Sequence, residues 1–228
     1  MKSEQNMDNI AIVIQGPSKN VIEQKKAWEG YLEHCIFSTW VGEESNYSEE
    51  DCVVYSDPPE ESGPMNFNYQ MKSTSRGLEF AKSRGYTRAL KVRSDLVPTN
   101  YKNFLNIIDN QDLNFLCWHY HEVYPGFSGY LVDYLMSGRV DTLIDLWKVD
   151  HVFNTAPEIL LTLNYITMCS ESKIQFFLDR LSAIENDLWW IKPNINLSSY
   201  KKNEIYDRYD SYPFDANMNY LKSNYINF

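Results

Sequence analysis

The sequence predicts an α/β fold, with a largely parallel central sheet flanked by helices, and three observations carry that expectation. A β-branched apolar run, IAIVI at residues 10–14, gives way at once to Gln15, Gly16 and Pro17, as a buried parallel strand does when it delivers its C-terminal end to a loop. Short apolar runs then alternate with helical stretches through the N-terminal half, the order expected of such a sheet. The predicted strand ends carry Gln15, Asp57 and Asp95, and ligands of these sheets sit beyond the carboxyl ends of the strands.

Taken in order, VIEQKKAWEGYLEHC from Val21 predicts a helix with Val21, Trp28 and Leu32 on one face. CIFSTWV and CVVYSDPP read as two further strands, separated by an acidic, Ser-rich loop from Gly42 to Asp51. From Asn66 to Gly85 a helix is expected, with Met71, Leu78 and Ala81 as its apolar stripe and Gly85 as its terminator. TRALKVRSD follows as a strand, and LNFLCWHYH, by its alternation and aromatics, as another. Val140, Leu143, Ile144 and Trp147 recur at the spacing of an amphipathic helix. PEILLTLNYI predicts a helix with Pro157 in its first turn, and Ile174 to Ile184 a further one.

No internal repeat or low-complexity linker interrupts the 228 residues, so one domain is expected. Hydrophobic residues at 43% and charged residues at 23% fit a folded globular chain. The 17 Tyr suit either ordinary packing or the walls of a sugar or partner surface, and the cluster Tyr200, Tyr206, Tyr209 and Tyr212 can be read in both ways. A net charge of −10, with no Lys/Arg run longer than two, argues against nucleic acid and against a polybasic membrane anchor. No apolar h-region opens the chain and no run of 18 apolar residues occurs, so a cytoplasmic location is expected, with at most peripheral contact at the inner face of a membrane. Cys35, Cys52, Cys117 and Cys169 form no CxxC pair and read as reduced thiols.

Lys91, Arg93 and Asp95 occupy alternate positions at the exit of their strand and so share a face. Two cations and a carboxylate there suit the diphosphate of a nucleotide-sugar donor, with a divalent metal, Mn²⁺ or Mg²⁺, on Asp95. A salt-bridged surface strand end is the alternative. In an acidic chain such a site needs local cations to offset the overall field. Asn66, Asn68, Gln70 and Lys72, just ahead of the apolar helical stripe, suit the hydroxyls of a sugar or nucleoside, or else cap the helix.

The base that takes the acceptor's proton is sought among carboxylates and imidazoles. Glu158 stands in the first turn of its helix, where it serves as that base or merely complements the helix dipole. Asp133, embedded in GYLVDYLMSG, needs partners or a task, either catalysis or orienting a loop. His119 and His121 share a strand face and are further candidates for a metal shell, or ordinary surface or core residues.

Several segments in order, IVIQGP, FSTW, YSDPP, NFNYQMKSTSRGLEFA, ALKVRSD, VDYLMSGRVDTLIDLW and APEILLTLNYI, resemble the WavE lipopolysaccharide-synthesis family of glycosyltransferases. The resemblance spans roughly residues 10 to 170. It implies a GT-A-like fold, with a nucleotide-sugar half at about residues 10–110 and an acceptor half at about 111–228. It implies sugar transfer to a lipopolysaccharide or capsule acceptor. The family's Gln-Gly-Pro falls on Gln15, Gly16 and Pro17, beside the nucleotide, and its Asn-x-Asn-x-Gln-x-x-Ser segment on Asn66, Asn68, Gln70 and Ser73. Tyr69 stands where an Arg is common, and Arg93-Ser94-Asp95 where GT-A enzymes usually carry Asp-x-Asp, so the first acid is an arginine here. A non-catalytic glycan-binding or scaffold protein is the competing expectation. A sugar nucleotidyltransferase is less favoured, because no Gly-rich phosphate loop follows the first strand.

Overall fold

The computed structural model describes residues 9–98, 113–118, 130–149, 157–158, 160–161, 164 and 190–191. Its centre is a six-stranded mixed sheet built from β1 (Ile10–Gln15), β2 (Cys35–Trp40), β3 (Val53–Ser56), β4 (Arg88–Arg93), β6 (Leu113–Trp118) and β7 (Tyr130–Arg139), in the order β3-β2-β1-β4-β7-β6. The four N-terminal strands run parallel; β7 joins antiparallel to β4, and β6 antiparallel to β7. A separate short ladder pairs β5 (Val97–Pro98) with β8 (Trp190–Ile191).

The chain passes outward from β1 through β2 to β3, then returns to lay β4 on the other flank of β1. This reversal opens a crevice at the C-terminal ends of β1 and β4, the place where open α/β sheets receive ligands. Helices cover both faces, since parallel strands need crossovers and are apolar on both sides. On one face Val21 of α1 (Val21–Ala27) and Trp28 pack with Ile12, Ile14, Phe37, Leu90 and Val92. On the other, α2 (Phe67–Ser83) and α3 (Val140–Trp147) bury Leu78, Ala81, Leu143 and Trp147 against Val13, Ile36, Ala89 and Met136. Gly77 permits the close seat of α2: a Cβ there would stand 2.5 Å from a Val13 methyl and 2.9 Å from Ser38 Cβ.

Two expectations need correction. The first helix is shorter than its apolar spacing suggested, ending at Ala27; Gly30 then turns at φ +90°, and Leu32 is exposed in a short 3₁₀ turn. Trp28 and Tyr31 still pack on the sheet, but they do so from beyond the helix, whose path is turned at Gly30 by a left-handed backbone that glycine adopts readily. The Tyr130–Arg139 segment, read only as an apolar surround for Asp133, is the ten-residue strand β7, lying between β4 and the edge strand β6. The helix expected from Ile174 to Ile184 and the terminal Tyr cluster lie outside the described residues, as do Cys117's side-chain environment and Cys169; Cys35 and Cys52 are free thiols. Among the described residues no helix is long and apolar enough to cross a membrane.

Candidate functional site

The crevice at the β1/β4 exit is a cavity of about 610 Å³, within the range of small-molecule sites. Backbone pairing draws the strand exits together: Gly16 N donates to Ser38 O at 3.0 Å, and Ser94 N donates to Gln15 O at 2.7 Å. Gly16 has φ +123°, and a Cβ on it would lie 2.7 Å from Ser94 Oγ, so this turn requires glycine. Gln24, fully buried on α1, fixes the β4 exit from below. Its Nε2 donates to the carbonyls of Ser94 at 3.0 Å and Leu96 at 2.8 Å, while Trp28 Nε1 donates to Gln24 Oε1 at 3.1 Å.

Of the residues expected at the site, Gln15, Gly16, Pro17, Asn66, Gln70, Arg93, Asp95, Asp133 and Glu158 all line this cavity. They come from β1, the start of α2, β4, β7 and the helical turn at Pro157, segments distant in the chain. Met65 and Asn66 enter α2 with positive φ, 49° and 62°. Such backbone is uncommon outside glycine and clusters at ligand sites.

Five residues expected at the donor site lie elsewhere. Lys91 is completely buried; its Nζ donates to the Asp133 carbonyl and sits 4.4 Å from the centre of the Trp147 ring. Alternation does place Lys91 on the same face as Arg93, but α3 covers that face one step before the strand end. Asp57 is exposed and off the cavity, because β3 is the edge strand, separated from β1 by β2. Asn68 and Lys72 line a separate surface hollow with Glu60 and Glu61, and Asn68 Nδ2 donates to Glu61 O at 3.1 Å. Ser73 is buried, its Oγ donating to Tyr69 O at 2.8 Å. Helical periodicity is the cause: positions 66, 69 and 70 share the cavity face, while 68, 72 and 75 share another.

Electrostatics also differ from a simple cationic clamp. Arg93 Nε and Nη2 donate to the two Asp95 oxygens at 2.9 and 2.8 Å, and Nη1 to Asp133 Oδ2 at 3.1 Å. The guanidinium carbon lies 4.8 Å from the Tyr134 ring centre. Burial works against the Arg93 charge, but Asp133 and Asp95 outweigh it and raise its pKa above arginine's ordinary value. Burial is also the first cause that lowers Lys91 to about 7, with Arg93 adding to the effect and Asp133 opposing it. Glu158 is pushed up to about 7 by burial and then by Asp133, against the pull of Arg93 and Lys91. Among the described residues, Lys19 and Arg93 are the cations that line the cavity, against the carboxyl groups of Asp95, Asp133 and Glu158. That described lining does not have the excess of cations a diphosphate clamp would show.

These carboxylates do not fit a divalent ion held by the protein. Both Asp95 oxygens and one Asp133 oxygen face Arg93 N–H groups, so a guanidinium stands between the two acids. Among the described residues no three His, Cys, Asp or Glu side chains are grouped as a metal site. His119 and His121 lie outside the described residues.

No protein-family model matches the chain, and no curated protein is matched by it.

Sequence reasoning missed Lys19, Trp40, Tyr69 and Tyr134 in the cavity wall, and Gln24 beneath it. Trp40 and Tyr69 meet edge to face, with centroids 4.9 Å apart. Trp40 carried a usable signal, since it ends the strand beside β1 and so reaches the same crevice.

Proposed function

We propose that the chain is a glycosyltransferase of GT-A-like fold, related to the WavE group, that moves a sugar from a nucleotide-sugar donor to a lipopolysaccharide or capsule acceptor. The observation that carries this reading is the gathering of Gln15, Arg93, Asp95, Asp133 and Glu158 around one cavity at the sheet's reversal point.

In this reading the acceptor hydroxyl oxygen attacks the anomeric carbon of the donor sugar. The bond from that carbon to the phosphate oxygen breaks, and its electron pair leaves with the nucleoside diphosphate. Glu158 takes the hydroxyl proton; a carboxyl with a pKa of about 7 is matched to that task near neutral pH. Arg93 and Asp133 fix one another and hold the floor, and exposed Lys19 at the rim faces the phosphates. The acceptor is a glycan or glycolipid, reached from the cytoplasm or the inner face of a membrane.

The test is thermal unfolding with UDP-, GDP-, CMP- and dTDP-sugars, each with and without Mn²⁺, because a ligand of the native state raises its stability. Stabilisation by one nucleotide class, together with a Glu158→Gln variant that binds it but transfers nothing, is the expected result. No stabilisation by any of them overturns the reading.

A second reading, a non-catalytic glycan-binding or scaffold protein, is favoured by one feature: Lys91 is sealed away and Arg93 is committed to two acids, which leaves Lys19 as the other cation among the cavity's described residues. Glycan binding without any nucleotide response would select it.

A further inference from the structure

The turn Ser18–Asn20, which leads from β1 into α1, is tied at both ends to the exits of other strands. Ser18 is buried; its N–H donates to Glu43 Oε2 at 3.0 Å, and its hydroxyl accepts from Asn46 Nδ2 at 2.7 Å. Asn20 Nδ2 donates to the Ser94 carbonyl at 3.3 Å. Lys19, exposed and lining the cavity, is the residue between the two ties.

Glu43 reaches this turn from the loop that follows β2. Gly42 bends the chain at φ +98°, Glu43 N–H donates to Trp40 O at 3.2 Å, and a 3₁₀ turn, Glu44–Asn46, comes next. Glu43 stands at the cap position of that turn, yet its side chain makes no bond to it. The carboxylate crosses instead to the N–H of Ser18, 25 positions earlier in the chain, and accepts the Thr39 hydroxyl on the same oxygen. A bond from a backbone N–H to a carboxylate is charge-assisted and stronger than a neutral one. The first N–H groups of a helical turn have no partner within it. With the Ser18 N–H taken by Glu43, an anion at the rim meets the Lys19 ammonium rather than that N–H. A lysine on a loose turn would have to be ordered by its ligand, at a cost in affinity; a turn held at both ends has met the backbone share of that cost beforehand.

We propose that Glu43 is a positioning residue that holds the Ser18–Asn20 turn so that Lys19 faces the phosphates of a nucleotide donor. The inference deepens the donor reading above and rests on it for the ligand. Glu43 touches no substrate and acts through Lys19.

The experiment is isothermal titration of UDP, GDP, dTDP and CMP into wild type, Glu43→Gln, Glu43→Ala, Lys19→Met and the two double variants that carry Lys19→Met, with hydrogen exchange followed at the Ser18 amide. Gln and Ala both remove the charge, but Gln keeps an oxygen that accepts from Ser18. The difference between them therefore isolates the tie from the long-range field of the carboxylate. At least one nucleotide should bind wild type, and Lys19→Met should weaken it about tenfold. Glu43→Gln should bind like wild type. Glu43→Ala should bind about fivefold more weakly than Glu43→Gln, with faster exchange at Ser18. In the Lys19→Met background that gap should vanish, which a merely structural role for Glu43 would not produce. Glu43→Met fills the same space without the carboxylate and repeats the comparison if Glu43→Ala does not fold. Equal binding by Glu43→Ala and Glu43→Gln, or the same gap persisting in the absence of the Lys19 amine, overturns the proposal and leaves the donor reading standing. Wild type that binds none of the four nucleotides removes the donor reading, and the role of Glu43 with it.

Discussion

Arg93 grips Asp95 two residues along its own chain, with Nε and Nη2 at 2.9 and 2.8 Å from the two carboxylate oxygens, while Nη1 reaches Asp133 across the sheet at 3.1 Å. A planar fork can satisfy two acids at once where an ammonium cannot. Arg93→Lys should therefore cost about 2–3 kcal/mol of stability, close to the loss from Arg93→Met, because the Asp133 carboxylate, 1% exposed, would be left without its partner. Urea unfolding of both variants checks this, and a lysine variant as stable as wild type would refute the fork.

The two titrating groups behind that fork give a second expectation. Glu158 moves from its ordinary 4.5 to about 7, so the folded state keeps a proton that the unfolded chain releases between those values. Its contribution to stability thus falls as pH rises from about 4.5 to 7. Lys91 moves from 10.5 to about 7, so the folded state has lost a proton that the unfolded chain still holds, and stability rises with pH across that window. At about 1.4 kcal/mol per unit, each limb spans a few kcal/mol. Glu158→Gln should become more stable relative to wild type as pH increases from 5 to 7 by roughly that amount. Lys91→Met should lose its relative advantage from about pH 7 to 10. Urea midpoints across pH measure both, and parallel curves for wild type and variants would contradict the burial of these groups.

Gln24 offers a third expectation, distinct because it touches no ligand. Its amide donates to the Ser94 and Leu96 carbonyls, and Gln24→Leu would strip those donors while keeping the volume. The loss should be on the order of 3 kcal/mol, and the β4 exit should loosen. Hydrogen exchange should then quicken at Ser94, whose N–H bonds Gln15 O. A variant with wild-type stability and exchange would show that the exit is held by other means.

Why Gln24 escaped sequence reading, while Arg93 did not, shows where the sequence is informative. Strand alternation put Lys91, Arg93 and Asp95 on one face, and an apolar run ended by Gly-Pro marked the exit of β1. Both are local patterns set by backbone geometry. That α3 lays Trp147 over Lys91 but stops short of Arg93 depends on where one helix ends against the sheet. No spacing in the chain records that. Gln24 sits in a polar stretch, VIEQKKA, that reads as solvent-facing, and only the loop brought beneath it by the β3-to-β4 return gives its amide a buried task. The α2 segment failed for a simpler reason: Asn66, Asn68, Gln70 and Lys72 alternate like strand residues, but a helix sends them to different faces.

Gly16 and Ser94 make the last expectation, and it separates two effects that a single variant would merge. Gly16→Ala introduces a Cβ 2.7 Å from Ser94 Oγ and also holds an alanine at φ +123°, so both a clash and backbone strain are expected, together roughly 2–4 kcal/mol. Ser94→Ala removes the hydroxyl, and the next atom, Ser94 Cβ, stands at 3.6 Å, an ordinary contact. The double variant should therefore recover the clash and keep the strain. A thermodynamic cycle from urea unfolding should give a favourable coupling of about 1–2 kcal/mol between the sites. If the coupling is zero, the hydroxyl turns aside at no cost and the turn demands glycine for its backbone alone. If Gly16→Ala is as stable as wild type, the two strand exits do not meet this closely, and the crevice they frame is wider than described.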